Sequence, residues 1–253
     1  ALASAFSAVG CPVVLADIEE APLQRVASAL GGETLALRTD VSDAASVDRL
    51  ADAAFERFGA VHVVCNNAGV STFNPVTAQT LDDWRWVLGV NLWGVIHGVH
   101  SFVPRLLAQG QPAHIVNTSS LAGIVSGIPE LGPYNVTKVG VVAISETLRV
   151  ELAMAGAPVG VSVLCPGSTE SRILESERNR PEEYGSESRL PEGDAFREAV
   201  RAGFGSPGAR TPEQVAARVL EAVRAGEFWV VPSAEMNDLV RNRCAEIVAS
   251  LPT

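Results

Sequence analysis

Basic residues are scarce in this sequence. Its 253 residues include 19 Lys and Arg against 29 Asp and Glu, which gives a formal net charge of -10 at pH 7 with histidine counted as neutral. A protein that binds nucleic acid must neutralise backbone phosphates with basic side chains. We therefore expect no nucleic-acid partner, whereas the charge says little about small substrates.

Long hydrophobic runs are also missing. No uninterrupted apolar stretch of the sequence reaches the ~20 residues that a membrane-spanning helix needs. Hydrophobic residues make up 47% of the chain and charged residues 19%, a balance that suits a globular α/β protein with a buried sheet. We expect no membrane partner, and at this length we expect a single domain around one substantial core.

Cysteine and histidine are few and scattered. The four cysteines form no CxxC pair, and the four histidines have no carboxylate or cysteine partners at the spacing of metal ligands. Scattered, unpaired cysteines are typical of proteins in a reducing compartment. We therefore expect a cytoplasmic location and no metal site.

The order of elements along the chain predicts an α/β fold. Short continuous apolar runs, such as Val61–Cys65 and Val159–Cys165, alternate with segments of helical periodicity. Continuous runs, as opposed to alternating ones, are typical of parallel strands that are covered on both faces. We predict a doubly wound, Rossmann-like parallel sheet in one domain over residues 1–253.

An acid ends the first apolar strand, at Asp17. In dinucleotide-binding folds such an acid lies ~20 residues after the start of a glycine-rich phosphate loop. Only sixteen residues precede Asp17, so we expect a first strand and the phosphate-binding glycines upstream of Ala1. A carboxylate here accepts the ribose hydroxyls and repels a 2′-phosphate, which favours NAD over NADP; a helix N-cap is compatible with the same position.

A tyrosine and a lysine stand four residues apart at Tyr134 and Lys138, on one face of a predicted helix. A nearby ammonium favours the phenolate and lowers a tyrosine pKa from its usual ~10. A serine beside the pair, Ser120, would hold a reacting oxygen. The set indicates interconversion of an alcohol and a carbonyl, although the spacing of the pair alone also arises by coincidence on amphipathic helices.

Three further features accompany this set: the run Asn66-Asn67-Ala68-Gly69, Asn91 inside a predicted helix over 81–107, and the order of all these motifs along the chain. Together they resemble the short-chain dehydrogenase/reductase family over essentially the whole sequence. The resemblance implies an NAD(P)-dependent oxidoreductase that moves a hydride between nicotinamide and a secondary alcohol or ketone. It also implies a homodimer or homotetramer.

The resemblance implies roles for particular residues. Catalysis would use Asn91, Ser120, Tyr134 and Lys138. The cofactor would contact Asp17, Asp40, Val41, Asn67, Ala68, Gly69, Tyr134, Lys138, Pro166, Gly167 and Thr169. Two positions stay open. Ser119 is a weaker alternative to Ser120, and Asn91 is either a helix irregularity or the holder of a water that links Lys138 to solvent.

The composition changes after the turn Pro166–Thr169. Residues 172–208 are charged, carry proline and glycine, and show no clean period, which predicts a long loop that serves as a substrate flap. The residues expected to line the substrate pocket are apolar, which predicts a hydrophobic alcohol or ketone as substrate. They are Ile173, Leu174, Phe196 and Phe204 of this segment and Ile124, Ile128 and Leu131 earlier in the chain.

Two other functions stay open. One is a catalytically silent dinucleotide-binding or sensor protein, and the other is an epimerase or dehydratase on the same scaffold. Silent relatives usually lose the tyrosine or the lysine, and both are present in this chain.

Overall fold

The computed structural model describes residues 1–252 as an alternation of strands and helices. The strands are β1 (Val13–Asp17), β2 (Thr34–Arg38), β3 (Val63–Asn66), β4 (Ala113–Thr118), β5 (Val159–Leu164) and β6 (Trp229–Val230). The α-helices are α1 (Leu2–Ala8), α2 (Glu20–Ala29), α3 (Ala44–Phe58), α4 (Leu81–Leu88), α5 (Gly94–Gln109), α6 (Leu121–Val125), α7 (Gly132–Met154), α8 (Pro191–Gly203), α9 (Pro212–Ala225) and α10 (Asn237–Ala249). Turns of 3₁₀ helix lie at Val76–Ala78, Arg172–Asn179 and Glu182–Tyr184.

The strands form two parallel sheets. β1 pairs with β2, and the other four strands pair in the order β3-β4-β5-β6. Within residues 1–252 no backbone ladder joins the two sheets. Because every pairing is parallel, the predicted doubly wound α/β domain is confirmed. The expected strand upstream of Ala1 stays a prediction.

Successive residues of the strands face opposite layers of helices. Ile115 of β4 packs in a buried cluster with Leu106 of α5 and Leu148 of α7, whereas its neighbour Val116 packs with Val219 of α9. Side chains alternate across a strand, so a continuous apolar run buries both faces. Burial on both sides explains why the runs read from the sequence carry no polar alternation.

The predicted long helix is interrupted. A capping box between Thr80 and Asp83 starts α4, and a π-helical segment, Gly89–Trp93, separates α4 from α5. Over Leu81–Gln109 the mean hydropathy of an 18-residue window is 1.2 and 44% of that window is buried. The stretch Leu81–Gln109 is long and apolar enough to cross a membrane. A buried core helix of a globular protein has the same length and composition.

Residues 172–208 are not the loop that their composition predicted. They form 3₁₀ turns and the helix α8, which begins at Pro191, a residue suited to the first helical position. A Cβ at Gly193 would lie 1.7 Å from the carbonyl oxygen of Phe73, so only glycine allows α8 to pack this closely. The helix is fixed by contacts distant in sequence, and periodicity does not reveal such contacts.

Candidate active site

The residues predicted to carry chemistry lie at the carboxyl ends of the strands. Asp17 ends β1, Asn67 follows β3 and Ser120 follows β4. The turn Pro166–Thr169 follows β5. Parallel pairing brings the ends of β3, β4 and β5 to one edge of the larger sheet, which is where ligands bind in open α/β sheets.

A chain of neutral hydrogen bonds fixes this edge. Asn66 Nδ2 donates to Asn117 Oδ1 at 2.8 Å, and Asn117 Nδ2 donates to Ser145 Oγ of α7 at 3.0 Å. Asn117 and Ser145 are completely buried, so their polar groups need these partners. Asn66 thus ties β3 to β4, and Asn117 ties β4 to α7.

Tyr134, Ser120 and Lys138 meet at the start of α7. The side chain of Ser120 lies close enough to the Tyr134 phenol to act on its pKa. Lys138, the only lysine in the sequence, lies one helical turn later and is 3% exposed. Its Nζ donates to the carbonyl oxygen of Thr118 at 2.9 Å and lies 5.4 Å from the centre of the Tyr134 ring. The three predicted side chains are therefore assembled.

Burial controls the protonation of this set. It raises the pKa of Tyr134 above the usual value, and the nearby Ser120 side chain opposes the rise only in part. Burial also lowers the pKa of Lys138 to about 8. The predicted fall of the Tyr134 pKa below its usual value is therefore not found in this structure, because the cost of removing the phenolate from water dominates.

The two serines after β4 have different partners. Ser119 is buried, and its Oγ donates to the carbonyl oxygen of Lys138 at 2.7 Å. Ser120 Oγ accepts from the backbone N–H of Ala122 at 3.1 Å, which caps α6. Since only Ser120 also reaches Tyr134, the geometry favours Ser120 over Ser119 as the partner of the phenol.

Asn91 lies in the π-helical segment and is completely buried. Its side chain accepts from Val70 N at 2.8 Å and donates to Val70 O at 2.9 Å and to Thr137 Oγ1 at 3.2 Å. The asparagine is thus both a helix irregularity and a link between α7 and the segment after β3. Its part in a water relay stays a prediction.

The adenosine end of the predicted cofactor site uses the ends of β1 and β2. Asp17 is exposed, and its Oδ1 accepts from Glu19 N at 2.8 Å, so Asp17 does not cap α2. Asp40 Oδ1 accepts from Ser42 N at 2.9 Å. The carbonyl oxygen of Val41 lies 2.9 Å from His97 Nδ1, which holds the end of β2 against α5.

The nicotinamide end of the predicted site has a neighbour that sequence reasoning missed. Glu235, in the loop after β6, accepts from the backbone N–H of Ser168. A Cβ at Gly167 would lie 1.9 Å from the Glu235 carboxylate. No motif or spacing connects Glu235 with this turn, because the contact spans 67 residues of sequence.

Three observations fit a dinucleotide at this edge. Thr169 Oγ1 is buried without a hydrogen-bond partner in the described chain. A Cβ at Gly69 would lie 3.6 Å from both Asn91 Oδ1 and Lys138 Nζ, so the glycine leaves room beside the catalytic set. Asp17 presents an exposed carboxylate at the far end. One buried hydroxyl without a partner, an exposed carboxylate and an open backbone suit a polar ligand that crosses the strand ends.

An apolar wall surrounds Tyr134. Its buried members are Phe73, Leu131 and Leu174, and the partly buried residues against it include Tyr134 itself together with Ile128, Ile173, Phe196, Val200 and Phe204. All four predicted apolar residues of the 172–208 segment lie here. Ile124 does not, because it packs against the main core cluster.

Across the described part of the chain, residues 1–252, no three or more His, Cys, Asp or Glu side chains are grouped so that they could hold a metal ion.

Comparison with known proteins gives matches over most of the chain. A family model described as short chain dehydrogenase matches residues 1–182. The C alpha-dehydrogenase of Sphingobium sp. (strain NBRC 103272 / SYK-6) is 32% identical over 253 residues, which cover 98% of this chain and 81% of that protein. The 1-deoxy-11-beta-hydroxypentalenate dehydrogenase of Streptomyces arenae is 38% identical over 182 residues, which cover 69% of this chain and 64% of that protein.

A solved structure gives an independent comparison. The structure of a short chain dehydrogenase/reductase from Burkholderia phymatum in complex with NAD aligns with a TM-score of 0.94 and 39% identity, over 100% of this chain and 91% of that chain. The family model, the relatives and this structure agree on one family. The chain belongs to the short-chain dehydrogenase/reductase family.

Proposed function

We propose that this oxidoreductase uses NAD to interconvert a secondary alcohol and a ketone. The observation that carries the proposal is the position of Tyr134, whose ring centre lies 5.4 Å from Nζ of the buried Lys138, with Ser120 beside it at the carboxyl ends of the parallel strands. The relatives named above as dehydrogenases support the oxidation of CH–OH groups.

In this mechanism Tyr134 moves the proton. For ketone reduction the neutral phenol donates its proton to the forming alkoxide, and for alcohol oxidation the phenolate accepts the proton of the hydroxyl. Ser120 donates a hydrogen bond to the substrate oxygen and so stabilises its developing charge. Because burial keeps the Tyr134 pKa high, the phenol stays protonated at neutral pH, which favours reduction there and oxidation at alkaline pH.

The strand-end residues would hold the cofactor. The adenosine part would lie against Asp17, Asp40 and Val41, and the nicotinamide part against Lys138 and the turn Pro166–Thr169, including Gly167. The segment Asn67, Ala68 and Gly69 would lie between them. A bound nicotinamide supplies or accepts the hydride. NAD is proposed over NADP because the Asp17 carboxylate accepts ribose hydroxyls and repels a 2′-phosphate.

Lys138 has two tasks in the proposal. With a pKa of about 8, its amine is mainly protonated at pH 7, so it binds the nicotinamide ribose as a cation and stabilises the Tyr134 phenolate when that forms. Asn91 would support the return of protons from solvent to Lys138.

The apolar wall around Tyr134 supports a hydrophobic substrate. Residues 172–208 supply part of this wall, which supports their role as a substrate flap. We also propose a homodimer or homotetramer, because Val150 and Met154 of α7 and Ile247 and Val248 of α10 are exposed apolar side chains. A cytoplasmic location without a nucleic-acid or membrane partner completes the proposal.

Cofactor binding followed by turnover tests the function. NADH and NADPH are titrated separately against the protein by cofactor fluorescence, and hydrophobic secondary alcohols with NAD and the matching ketones with NADH are then assayed. Tight NADH binding with turnover on any pair supports the proposal. Binding without turnover across a broad panel favours the dinucleotide sensor, an isomer or dehydrated product with bound cofactor favours an epimerase or dehydratase, and no binding of either cofactor refutes the proposal.

A further inference from the structure

The first turn of the substrate flap contacts the end of β1. Arg178 Nε donates to Glu19 Oε1 at 2.8 Å, and Asn179 Nδ2 donates to the same oxygen at 3.1 Å. Arg172 Nη1 lies 3.5 Å from Glu19 Oε2. One carboxylate thus receives three donors from a segment that is 153 to 160 residues away in the sequence.

This cluster has more hydrogen bonds and less exposure than an ordinary surface ion pair. The side chain of Glu19 is 22% exposed, and hydrogen bonds from Arg178 and Asn179 hold the pKa of its carboxyl below the usual value. Arg178 Nη1 also donates to the carbonyl oxygens of Arg172 at 2.9 Å and Glu175 at 2.8 Å. Isolated exposed pairs contribute little, but several charges in one network with fixed geometry contribute more.

Glu19 connects the two binding sites of the proposed enzyme. Its backbone N–H donates to Asp17 Oδ1 at 2.8 Å, the carboxylate proposed to hold the adenosine ribose. On the other side of the cluster, Ile173 and Leu174 follow Arg172 directly and pack in the apolar wall with Tyr134. Glu19 therefore contacts the cofactor edge through its backbone and, through its side chain, the turn Arg172–Asn179, which carries Ile173 and Leu174 of the substrate wall.

We propose that Glu19 is a positioning residue that couples dinucleotide binding at Asp17 to closure of the substrate flap. The inference rests on the proposed function, since it needs a dinucleotide at Asp17 and a substrate beside Tyr134. A dinucleotide that holds Asp17 also holds the backbone of Glu19, which donates to Asp17. The Glu19 carboxylate is then already in position when Arg178 of the flap binds it. Coupling between two sites is reciprocal, so substrate should tighten NADH binding by the factor by which NADH tightens substrate binding.

The rest of the flap has its own anchors. Arg180 pairs with Asp83 at 2.7 Å, and Arg197 pairs with Glu187 at 2.9 Å. Loss of the Glu19 charge should therefore free the turn Arg172–Asn179 while α8 stays in place, so a variant at Glu19 is expected to fold.

The test uses Glu19→Gln, which keeps the shape of the side chain, removes its charge and turns an amide NH₂ group toward a guanidinium. Glu20→Gln is the matched control. The Glu20 carboxylate is adjacent in sequence but accepts a hydrogen bond from Gln24 within α2 and not from the flap. Amide hydrogen exchange over residues 172–179 is measured with and without NADH, and KM and kcat are measured on the best substrate. In the wild type and Glu20→Gln we expect NADH to slow exchange of this turn.

In Glu19→Gln we expect that protection to be lost and the substrate KM to rise about 10-fold with little change in kcat. Arg178→Gln should also lose the protection, and the double variant should show less than the sum of the two single effects, because the two residues share one interaction. Equal NADH-induced protection in Glu19→Gln and wild type would refute the role of Glu19, as would an equal loss in Glu20→Gln. Failure of the wild type to bind NADH would instead refute the proposed function.

Discussion

The proposed catalytic set and the proposed substrate flap, residues 172–208, are held in place by different kinds of interaction. At the strand ends, Asn66, Asn117 and Ser145 form a chain of neutral hydrogen bonds. The flap is held by buried ion pairs: the side chains of Arg180 and Asp83 are 3% and 0% exposed, and those of Arg197 and Glu187 are 7% and 2% exposed. Neutral groups are less costly to bury than charges.

This difference suits the tasks of the two regions. The catalytic set must keep one geometry in every state, and a neutral network that is completely satisfied keeps it. A buried ion pair contributes little net stability but is strongly destabilising once one partner is removed. The flap is therefore the region that a single substitution should release while the sheet and the catalytic set stay folded.

The largest effect is expected from Tyr134→Phe. This variant removes the group that transfers the proton and leaves the neutral hydrogen-bond chain and the buried ion pairs intact. Removal of the phenol oxygen should lower kcat by about 10³- to 10⁴-fold, since a positioned acid–base group contributes about that much. Cofactor binding and the unfolding midpoint should change little. Steady-state assays measure kcat, NADH titration measures cofactor binding, and an unfolding curve gives the midpoint.

The chain offers a matched control for this variant, because Tyr184 is its only other tyrosine. Tyr184→Phe should keep activity, and in that background the ultraviolet absorbance of phenolate reports Tyr134 alone. Burial raises the pKa of Tyr134, so its ionisation in the free protein should lie above the usual ~10. Turnover that persists in Tyr134→Phe would refute the mechanism.

The second prediction concerns the flap. Arg197→Met leaves Glu187 buried without its cation, and the loss of one partner of a buried pair costs about 3–5 kcal/mol. Burial already raises the pKa of Glu187, so the remaining carboxyl should take up a proton more readily. Proteolysis and hydrogen exchange should increase over residues 172–204, and urea unfolding measures the lost stability.

Arg201→Met on the same helix is the control, because the Arg201 side chain is 49% exposed and pairs with Glu198 on the surface. Exposed pairs contribute about 0–1 kcal/mol. Equal destabilisation by Arg197→Met and Arg201→Met would remove the contrast between buried and surface charges on which the comparison of the two regions depends.

The third prediction concerns the one charge within the catalytic set. Burial lowers the pKa of Lys138 from the ordinary 10.5 to about 8, so between these pH values the folded protein binds fewer protons than the unfolded chain. Stability should therefore rise with pH through this range, by about 3 kcal/mol in total. Lys138→Met should lack this rise, which urea unfolding at several pH values above and below 8 would detect.

A spectroscopic check is direct because Lys138 is the only lysine in the sequence. Isotope-labelled lysine gives one side-chain resonance, and its titration reports this group alone. A titration midpoint at the ordinary value, or parallel pH profiles of wild type and Lys138→Met, would mean that burial does not govern the charge of the catalytic set.

The sequence predicted the catalytic set because its determinants are local. The apolar runs Val61–Cys65 and Val159–Cys165 coincide with β3 (Val63–Asn66) and β5 (Val159–Leu164) to within two residues at each end. The order of motifs then located Asn91, Tyr134 and Lys138 on their elements. The pKa of Tyr134 was predicted in the wrong direction, because desolvation depends on the packed structure and not on the spacing of the pair.

The flap and the turn after β5 depend on contacts that have no sequence signal. The helix α8 is fixed by Gly193 against Phe73 and by Arg197 against Glu187. Glu235 reaches Ser168 across 67 residues. None of these positions stands in a recognisable motif, so tertiary packing alone selects their conformation.

The smallest expected effect lies where the two regions meet, at Asp17. Asp17→Ala removes the acceptor of the ribose hydroxyls, so NADH affinity should fall about 10-fold, the size of one charge-assisted hydrogen bond. NADPH affinity should rise, because Arg38 donates to the carbonyl oxygen of Ile18 at 3.2 Å and would attract a 2′-phosphate once the carboxylate is gone. Asp43→Ala is the control, since Asp43 caps α3 and should affect stability without changing the preference. An unchanged ratio of NADH to NADPH affinity in Asp17→Ala would mean that the end of β1 does not select the cofactor, and the contact of Glu19 with this turn would then hold the flap without sensing the ribose.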